Sequence, residues 1–197
     1  MEKRLLITGF DPFGGQTVNP AREVLRGLPD RIGDFVLCKL EIPTVFGLAG
    51  KTVLDAAAHW QPDVILCLGV AAGRKDVTPE RIAVNIQDAT LADNAGNRPR
   101  GTRIVPNGAA AYFTTVPVEA MTQRILEAGL PASVSNGAGT FVCNDLLYTL
   151  LHHFQNTQTA VGFIHVPALP GQHEHCLPLT DTIRAVTAAI SACNIQP

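Results

Sequence analysis

Three residues of this 197-residue chain, Glu80, Cys143 and His165, are of types that together make a nucleophilic centre. Cys143 lies in "GTFVCNDLLYTLL" (139–151), where a Gly–Thr turn runs into a helical pattern and puts the thiol in the first helical turn. Backbone N–H groups without intrahelical partners, and the positive end of the helix dipole, favour a thiolate there and can receive an oxyanion. A nucleophilic cysteine needs a base, and the base needs a third group to orient it. His165, in "FIHVP" (163–167), closes an apolar strand-like run, and Glu80, in "TPERIAVN" (78–85), precedes another. They supply the base and the orienting carboxylate in the chain order Glu, Cys, His, and such a triad depends on geometry and not on order. Each residue also has a plainer reading: Cys143 as a small buried hydrophobe, His165 as a satisfied core imidazole, Glu80 as a solvated charge.

Two further segments carry potential chemistry. "TGFDPFGG" (8–15) is a glycine-rich turn after the first strand-like run, but it matches neither phosphate-binding glycine pattern and no lysine follows. It holds Phe10 and Phe13 beside Pro12, which suits a flat uncharged ligand, or else both rings pack on the core. "GQHEHC" (171–176) offers His173, His175 and Cys176, yet the spacing fits no common zinc motif and reads as an exposed polar loop. His152 and His153 end a helical pattern, where their polarity suits the dipole. The expectation is therefore no metal site and no cofactor.

The elements that must position these residues alternate between strand and helix. Strand-like runs are expected at 3–10, 34–43, 62–71, 80–88, 132–135 and 160–167. Helices are expected from Asn19–Pro20 to Leu28, from a Thr44 cap to His59, and over 117–130, 141–154 and 180–193. The stretch 89–107 is rich in Asn, Gly, Pro and Arg and reads as a long loop. This alternation predicts one α/β domain over 1–197, with a largely parallel twisted sheet and helices on both faces. In such folds active sites collect at the carboxyl ends of the strands, where the segments around Phe10, Cys143 and His165 fall.

Composition removes other classes. With 46% hydrophobic and 16% charged residues the chain is globular and not disordered. A net charge of −2 and scattered Lys and Arg give no field for nucleic acid or an anionic membrane. No window approaches the roughly 20 apolar residues of a membrane span, and Leu5–Ile7 is too short an apolar stretch for a leader. The five cysteines, Cys38, Cys67, Cys143, Cys176 and Cys193, are odd in number and form no C-x-x-C pair. They point to free thiols in a reducing compartment, the cytoplasm, with Cys38, Cys67 and Cys193 packed as small hydrophobes.

With these residues assembled, the sequence resembles the pyroglutamyl peptidase type I (pyrrolidone-carboxylate peptidase) family of cysteine peptidases. The matching stretches are "TGFDPFGG" with "NPA" (19–21), "IPTVF" (42–46), "TPERIAVN", "DNAGN" (93–97), "AGTFVCN" (138–144) and "FIHVP", in family order over nearly the whole chain. The resemblance implies removal of an N-terminal 5-oxoproline from peptides without a cofactor. It implies Cys143 as nucleophile, His165 as base and then acid, Glu80 as orienting group, and Phe10, Phe13 and Phe141 around the pyrrolidone ring with Thr44 nearby. It also implies a cytoplasmic homotetramer. The chain departs from the family pattern at Val70, where a glutamine is usual, and at Thr90, where an arginine is usual. Two other functions stay open at this point: a cysteine amidohydrolase acting on another small lactam or amide, and a non-catalytic α/β ligand-binding domain.

Overall fold

The computed structural model describes residues 2–193. A six-stranded sheet forms the centre, built from β1 (Lys3–Phe10), β2 (Arg31–Ile32), β3 (Phe35–Ile42), β4 (Val64–Val70), β5 (Thr78–Pro79) and β8 (Ala160–Val166). Its order is β2-β3-β1-β4-β8-β5. The four inner strands are parallel, while β2 and β5 join antiparallel at the edges. Helices α1 (Pro20–Gly27), α3 (Val118–Glu127) and α5 (Leu179–Ala192) cover one face, and α2 (Leu48–Trp60) and α4 (Val142–Phe154) the other. This is the α/β class expected, with a mixed edge.

Strand alternation assigns side chains to the two faces. Leu5, Ile7, Leu66, Leu68, Ile164 and Val166 pack under α1, α3 and α5. Leu6, Phe10, Ile65, Cys67, Val161 and Phe163 pack under α2 and α4. Strands buried on both sides in this way appear in sequence as unbroken apolar runs, as in "VILCLGV". By the same alternation, Gly69 and His165 face α4, whereas Val70 faces α1.

The sheet also fixes where a ligand can bind. From β1 the chain passes through α1 to β3 on one side; from β3 it returns through α2 to β4 on the other side of β1. The order thus reverses between β1 and β4, and the loops that follow these strands splay apart to open a crevice at their carboxyl ends.

Several local expectations change. The run 80–88 yields only the short strand β6 (Ile82–Val84), which pairs antiparallel with β7 (Ala111–Phe113) outside the main sheet. Here the Asn144 side chain takes the backbone N–H and C=O of Val84 and the C=O of Ile86, so a side chain occupies bonds that a longer ladder would use. Residues 132–135 make isolated bridges, Val77 with Ala132 and Glu80 with Ser135, and no strand. The helix expected from Thr44 starts at Leu48. Asp11 captures both the Thr44 N–H and its hydroxyl, through Oδ1 and the backbone carbonyl respectively.

Candidate active site

The carboxyl ends of β4 and β8 lie side by side, with Gly69 opposite His165. On its other side β8 meets β5, where Thr78 faces His165, and the Glu80 N–H bonds the Phe163 carbonyl. This edge pairing brings Glu80, 85 residues away in sequence, beside the imidazole: Nδ1 of His165 lies 2.7 Å from Glu80 Oε1. Both side chains are almost wholly buried, and the His165 ring packs 4.7 Å from that of Phe163. A carboxylate on Nδ1 leaves Nε2 as the nitrogen free to exchange a proton.

Arg74 completes the arrangement. Its Nη1 donates to Glu80 Oε1 and to Thr78 Oγ1, both at 2.7 Å, and Nη2 donates to the Gly137 carbonyl at 3.3 Å. Burial alone raises the Glu80 pKa, but the hydrogen bond and charge of His165, with Ser135 and Arg74, outweigh it and hold the carboxyl below its ordinary value. Glu80 is thus ionised, while its Oε2 is buried without a hydrogen-bond partner.

Cys143 is the second residue of α4, after Phe141 in an extended N-cap conformation. Side chains tie down this helix start. Asn144, fully buried, clasps Val84 and Ile86 as described, and Asp145 accepts from Gln87 Nε2 (2.6 Å) and the Gly47 N–H (2.8 Å). The preceding turn is pinned by Thr140, whose hydroxyl and carbonyl both pair with the Asp88 backbone. The thiol comes down on Gly69: a Cβ there would stand 3.0 Å from Cys143 Sγ and 2.7 Å from the Phe163 ring, so only glycine fits opposite His165. Cys143, His165 and Glu80 therefore gather on one face of one strand edge. The thiol is not, however, a resting thiolate. Burial, then the negative charge of Glu80, push its pKa up to about 12 against the opposing pull of its own N–H and of Arg74. Desolvation outweighs the helix-terminal effect expected from the sequence.

Aromatic rings gather around Phe141, at the start of α4. Phe13 and Phe141 stand 5.9 Å apart, and Phe46 meets Phe141 edge-on at 5.3 Å. Phe10 is nearly buried and leans on Phe163 at 6.5 Å, and Thr44 is buried beneath the same loops. The acidic groups around them are already engaged. Asp11 Oδ1 accepts from Thr44 and Asn94, and the two oxygens of Asp93 accept from Phe46, Ala95 and Asn97. Burial raises the Asp93 pKa, but those bonds outweigh it and hold it low.

The model of the pyroglutamyl peptidase family matches residues 3–196. The chain belongs to that family. It is 50% identical to a pyrrolidone-carboxylate peptidase of Levilactobacillus brevis over 98% of both chains. It is 45% identical to one from Streptococcus suis, covering 96% of this chain and 91% of that one. Among solved structures it is similar to pyroglutamyl peptidase I of Bacillus amyloliquefaciens, with TM-score 0.95, 39% identity and coverage of 100% and 97%. Pyrrolidone carboxyl peptidase of Thermococcus litoralis gives TM-score 0.91 at 32% identity, with coverage of 97% and 93%.

Against the family pattern, "DNAGN" is a clamp. Asn94 ties Asp11 and Pro12 to Thr44, and Asp93 holds the backbone at Phe46. Of the two departures, Val70 lines a hollow next to Phe13, and Thr90 is exposed in the long loop. Residues that the sequence reading left without a role are Arg74, Asn144, Asp145 and Phe46. Phe46 and Asn144 belong to "IPTVF" and "AGTFVCN", so their signal was present. Arg74 and Asp145 gave none. Asp145 binds Gln87 and Gly47, both distant in sequence, and Arg74 reaches Thr78 and Glu80 nearby but also Gly137, 63 residues on. His173 and His175 pair locally, the His175 N–H donating to His173 Nδ1. His152 stacks on Tyr148 and bonds the Tyr112 hydroxyl at 2.9 Å.

Proposed function

We propose that the whole chain is one catalytic domain, a cysteine-type omega peptidase that removes an N-terminal pyroglutamyl residue from peptides. The observation that carries this reading is the 2.7 Å contact between His165 Nδ1 and Glu80 Oε1, on the strand edge where the Cys143 thiol rests against Gly69. In this reading the Cys143 sulfur attacks the pyroglutamyl carbonyl as its proton passes to His165 Nε2. The first-turn N–H groups of α4 receive the oxyanion. The C–N bond then breaks as His165 returns the proton to the leaving amine. Water, deprotonated by His165, cleaves the thioester to release pyroglutamate and the free thiol. Glu80 fixes the tautomer of His165 and stabilises the imidazolium, so no cofactor enters any step.

Substrate choice follows from the crevice. Pyroglutamate carries a neutral lactam and no α-ammonium. Phe13 and Phe141 offer it ring faces, with Phe10 and Thr44 buried beneath them. Asp11 through Oδ1 and Asp93 through both oxygens are committed to the surrounding loops, which supports a neutral lactam over an ordinary amino terminus. All five cysteines are free, which supports a cytoplasmic location. No described helix is long and apolar enough to cross a membrane. The homotetramer implied by the family resemblance belongs to the same reading, and the exposed Phe113 and Leu126 offer apolar surface for it.

A fluorogenic pyroglutamyl aminocoumarin tests the reaction. Wild type releases coumarin; Cys143→Ala and prior alkylation both abolish release. Undiminished activity in Cys143→Ala would contradict the mechanism.

A further inference from the structure

The Glu80 carboxylate is engaged at one oxygen and bare at the other. Oε1 accepts from His165 Nδ1 and from Arg74 Nη1, each at 2.7 Å. Oε2 is buried and has no hydrogen-bond partner among the described residues. Two donors on one oxygen leave the carboxylate free to turn about that oxygen, and the imidazole turns with it. A buried ionised oxygen without a donor also favours the neutral acid, which cannot stabilise an imidazolium. The charged and titratable groups facing Glu80 are His165 on β8, Arg74 in the loop after β4 and the Cys143 thiol at the head of α4. None of them donates to Oε2.

The hydroxyl placed to do so is that of Ser135. Ser135 pairs with Glu80 in a parallel bridge: its N–H donates to the Pro79 carbonyl, and its carbonyl accepts the Arg81 N–H. Residues opposite one another in such a bridge lie about 5 Å apart, with their side chains on the same face. The Ser135 hydroxyl is only loosely held. It donates to the Gly137 carbonyl at 3.3 Å and accepts the Gly137 N–H at 3.4 Å, both long for hydrogen bonds. The Gly137 carbonyl also accepts Arg74 Nη2, so it keeps a partner when Ser135 turns away. Other hydroxyls nearby are committed: Thr114 donates to the Glu80 and Arg81 carbonyls, and Thr78 accepts from Arg74 and donates to the His165 carbonyl. Against the burial that raises the Glu80 pKa, Ser135 acts with His165 and Arg74 to lower it.

We propose that Ser135 is a positioning residue of the reaction, whose hydroxyl turns from Gly137 to Glu80 Oε2 and so fixes the plane of the carboxylate against His165. The proposal rests on the peptidase reading. A hydroxyl rotates to suit its partners, and Ser135 gives up a long bond to a neutral carbonyl for one to a charged oxygen, the stronger kind. The two supports of Glu80 then divide the work. Arg74 supplies charge at Oε1, and Ser135 supplies direction at Oε2. With the carboxylate held at both oxygens, His165 keeps Nε2 directed toward Cys143 through both proton transfers.

The test compares Ser135→Ala and Ser135→Thr with wild type. It reads kcat and KM on the pyroglutamyl aminocoumarin across pH, and the NMR resonance of the His165 Nδ1 proton. Backbone groups make the bridge to Glu80, so neither substitution removes it. Ser135→Ala is expected to lose about tenfold in kcat with KM little changed. Its acid limb of kcat/KM moves upward, because Glu80 then protonates at higher pH, and its Nδ1–H resonance shifts. Ser135→Thr keeps the hydroxyl and recovers most of all three. Wild-type kcat and acid limb in Ser135→Ala, or an equal loss at every pH in both variants, would overturn the proposal while leaving the peptidase intact. An Nδ1–H resonance identical in wild type and Ser135→Ala would overturn it without reference to any substrate. A wild type that hydrolyses no pyroglutamyl substrate would overturn the peptidase reading, and the role of Ser135 with it.

Discussion

Cys67 and Cys143 are two thiols on the same face of the same sheet edge, and burial pushes both up to about 12. Cys67 sits within β4, fully buried, and its polar neighbour is the Thr8 hydroxyl, which pulls its pKa down slightly. Cys143 heads a helix, is partly exposed, and has the Glu80–His165 pair and Arg74 around it. Resting acidity therefore does not distinguish an inert thiol from a nucleophile. In the reaction proposed above, what distinguishes them is the His165 imidazole opposite Gly69, on which the Cys143 thiol rests, and the helix-terminal N–H groups where negative charge would develop. On this account the thiolate forms during attack, by transfer to His165.

The largest expected contrast is between the two alanine variants. Cys143→Ala loses at least ~10⁴-fold in kcat/KM with stability little changed, since the catalytic groups act as a unit. Cys67→Ala costs about 1 kcal/mol of stability, comparable to removing one buried methyl group, and leaves kcat within a few-fold. Parallel steady-state assays and urea melts read both. If Cys67→Ala were as dead as Cys143→Ala, the contrast would collapse.

Next is Glu80→Gln, which keeps shape but removes the charge that fixes the His165 tautomer. A loss of about 10²–10⁴-fold in kcat is expected, with KM far less affected. An active Glu80→Gln enzyme would demote the carboxylate to a structural role.

Arg74→Met gives a smaller effect with a distinctive signature. Arg74 helps to hold the Glu80 carboxyl low, so its loss lets that pKa rise. Glu80 then protonates at higher pH, and the acid limb of kcat/KM moves upward. Arg74→Lys recovers part of the shift, whereas a purely structural Arg74 would lower activity equally at all pH values.

How much of this was legible in the sequence depends on the range of the interactions. Unbroken apolar runs gave β1, β4 and β8, and hence the edge where His165 sits. The glycine turn before α4 gave the place of Cys143. The capped start at Asn19–Pro20 appears as expected, with Asn19 accepting the Ala21 N–H. What could not be read is held by side-chain bonds between distant segments: Asn144 on Val84, Asp145 on Gly47, Asp93 on Phe46. The Asn144 bonds cut short the strand expected at 80–88, and the capture of Thr44 by Asp11 moved the start of α2 to Leu48. Local patterns carry no trace of a partner tens of residues away, so the role of Asp145 emerges only from the fold; Arg74 lies six residues before Glu80, but its role depends on the edge pairing that sets Glu80 beside His165.

The smallest effect is on alkaline stability. The folded pKa of Cys67 lies above its ordinary value of 9, so its contribution is fully present below pH 9 and is lost as pH rises toward 12. The slope is at most about 1.4 kcal/mol per pH unit for one such group. Cys67→Val should flatten the stability curve of the wild type between pH 9 and 11 by part of that slope, because Cys143 and Cys193 are raised as well. An identical slope in variant and wild type would remove Cys67 from the account.

The central claim is that Cys143 carries the acyl group. Acid-quenching the enzyme during turnover of a pyroglutamyl ester or amide, followed by peptide mass mapping, tests it directly. The account predicts one pyroglutamyl group in thioester linkage on the Cys143 peptide, absent from Cys143→Ala and removed by hydroxylamine. A turning-over enzyme with the adduct on another residue, or one that Cys143→Ala still forms, would contradict it.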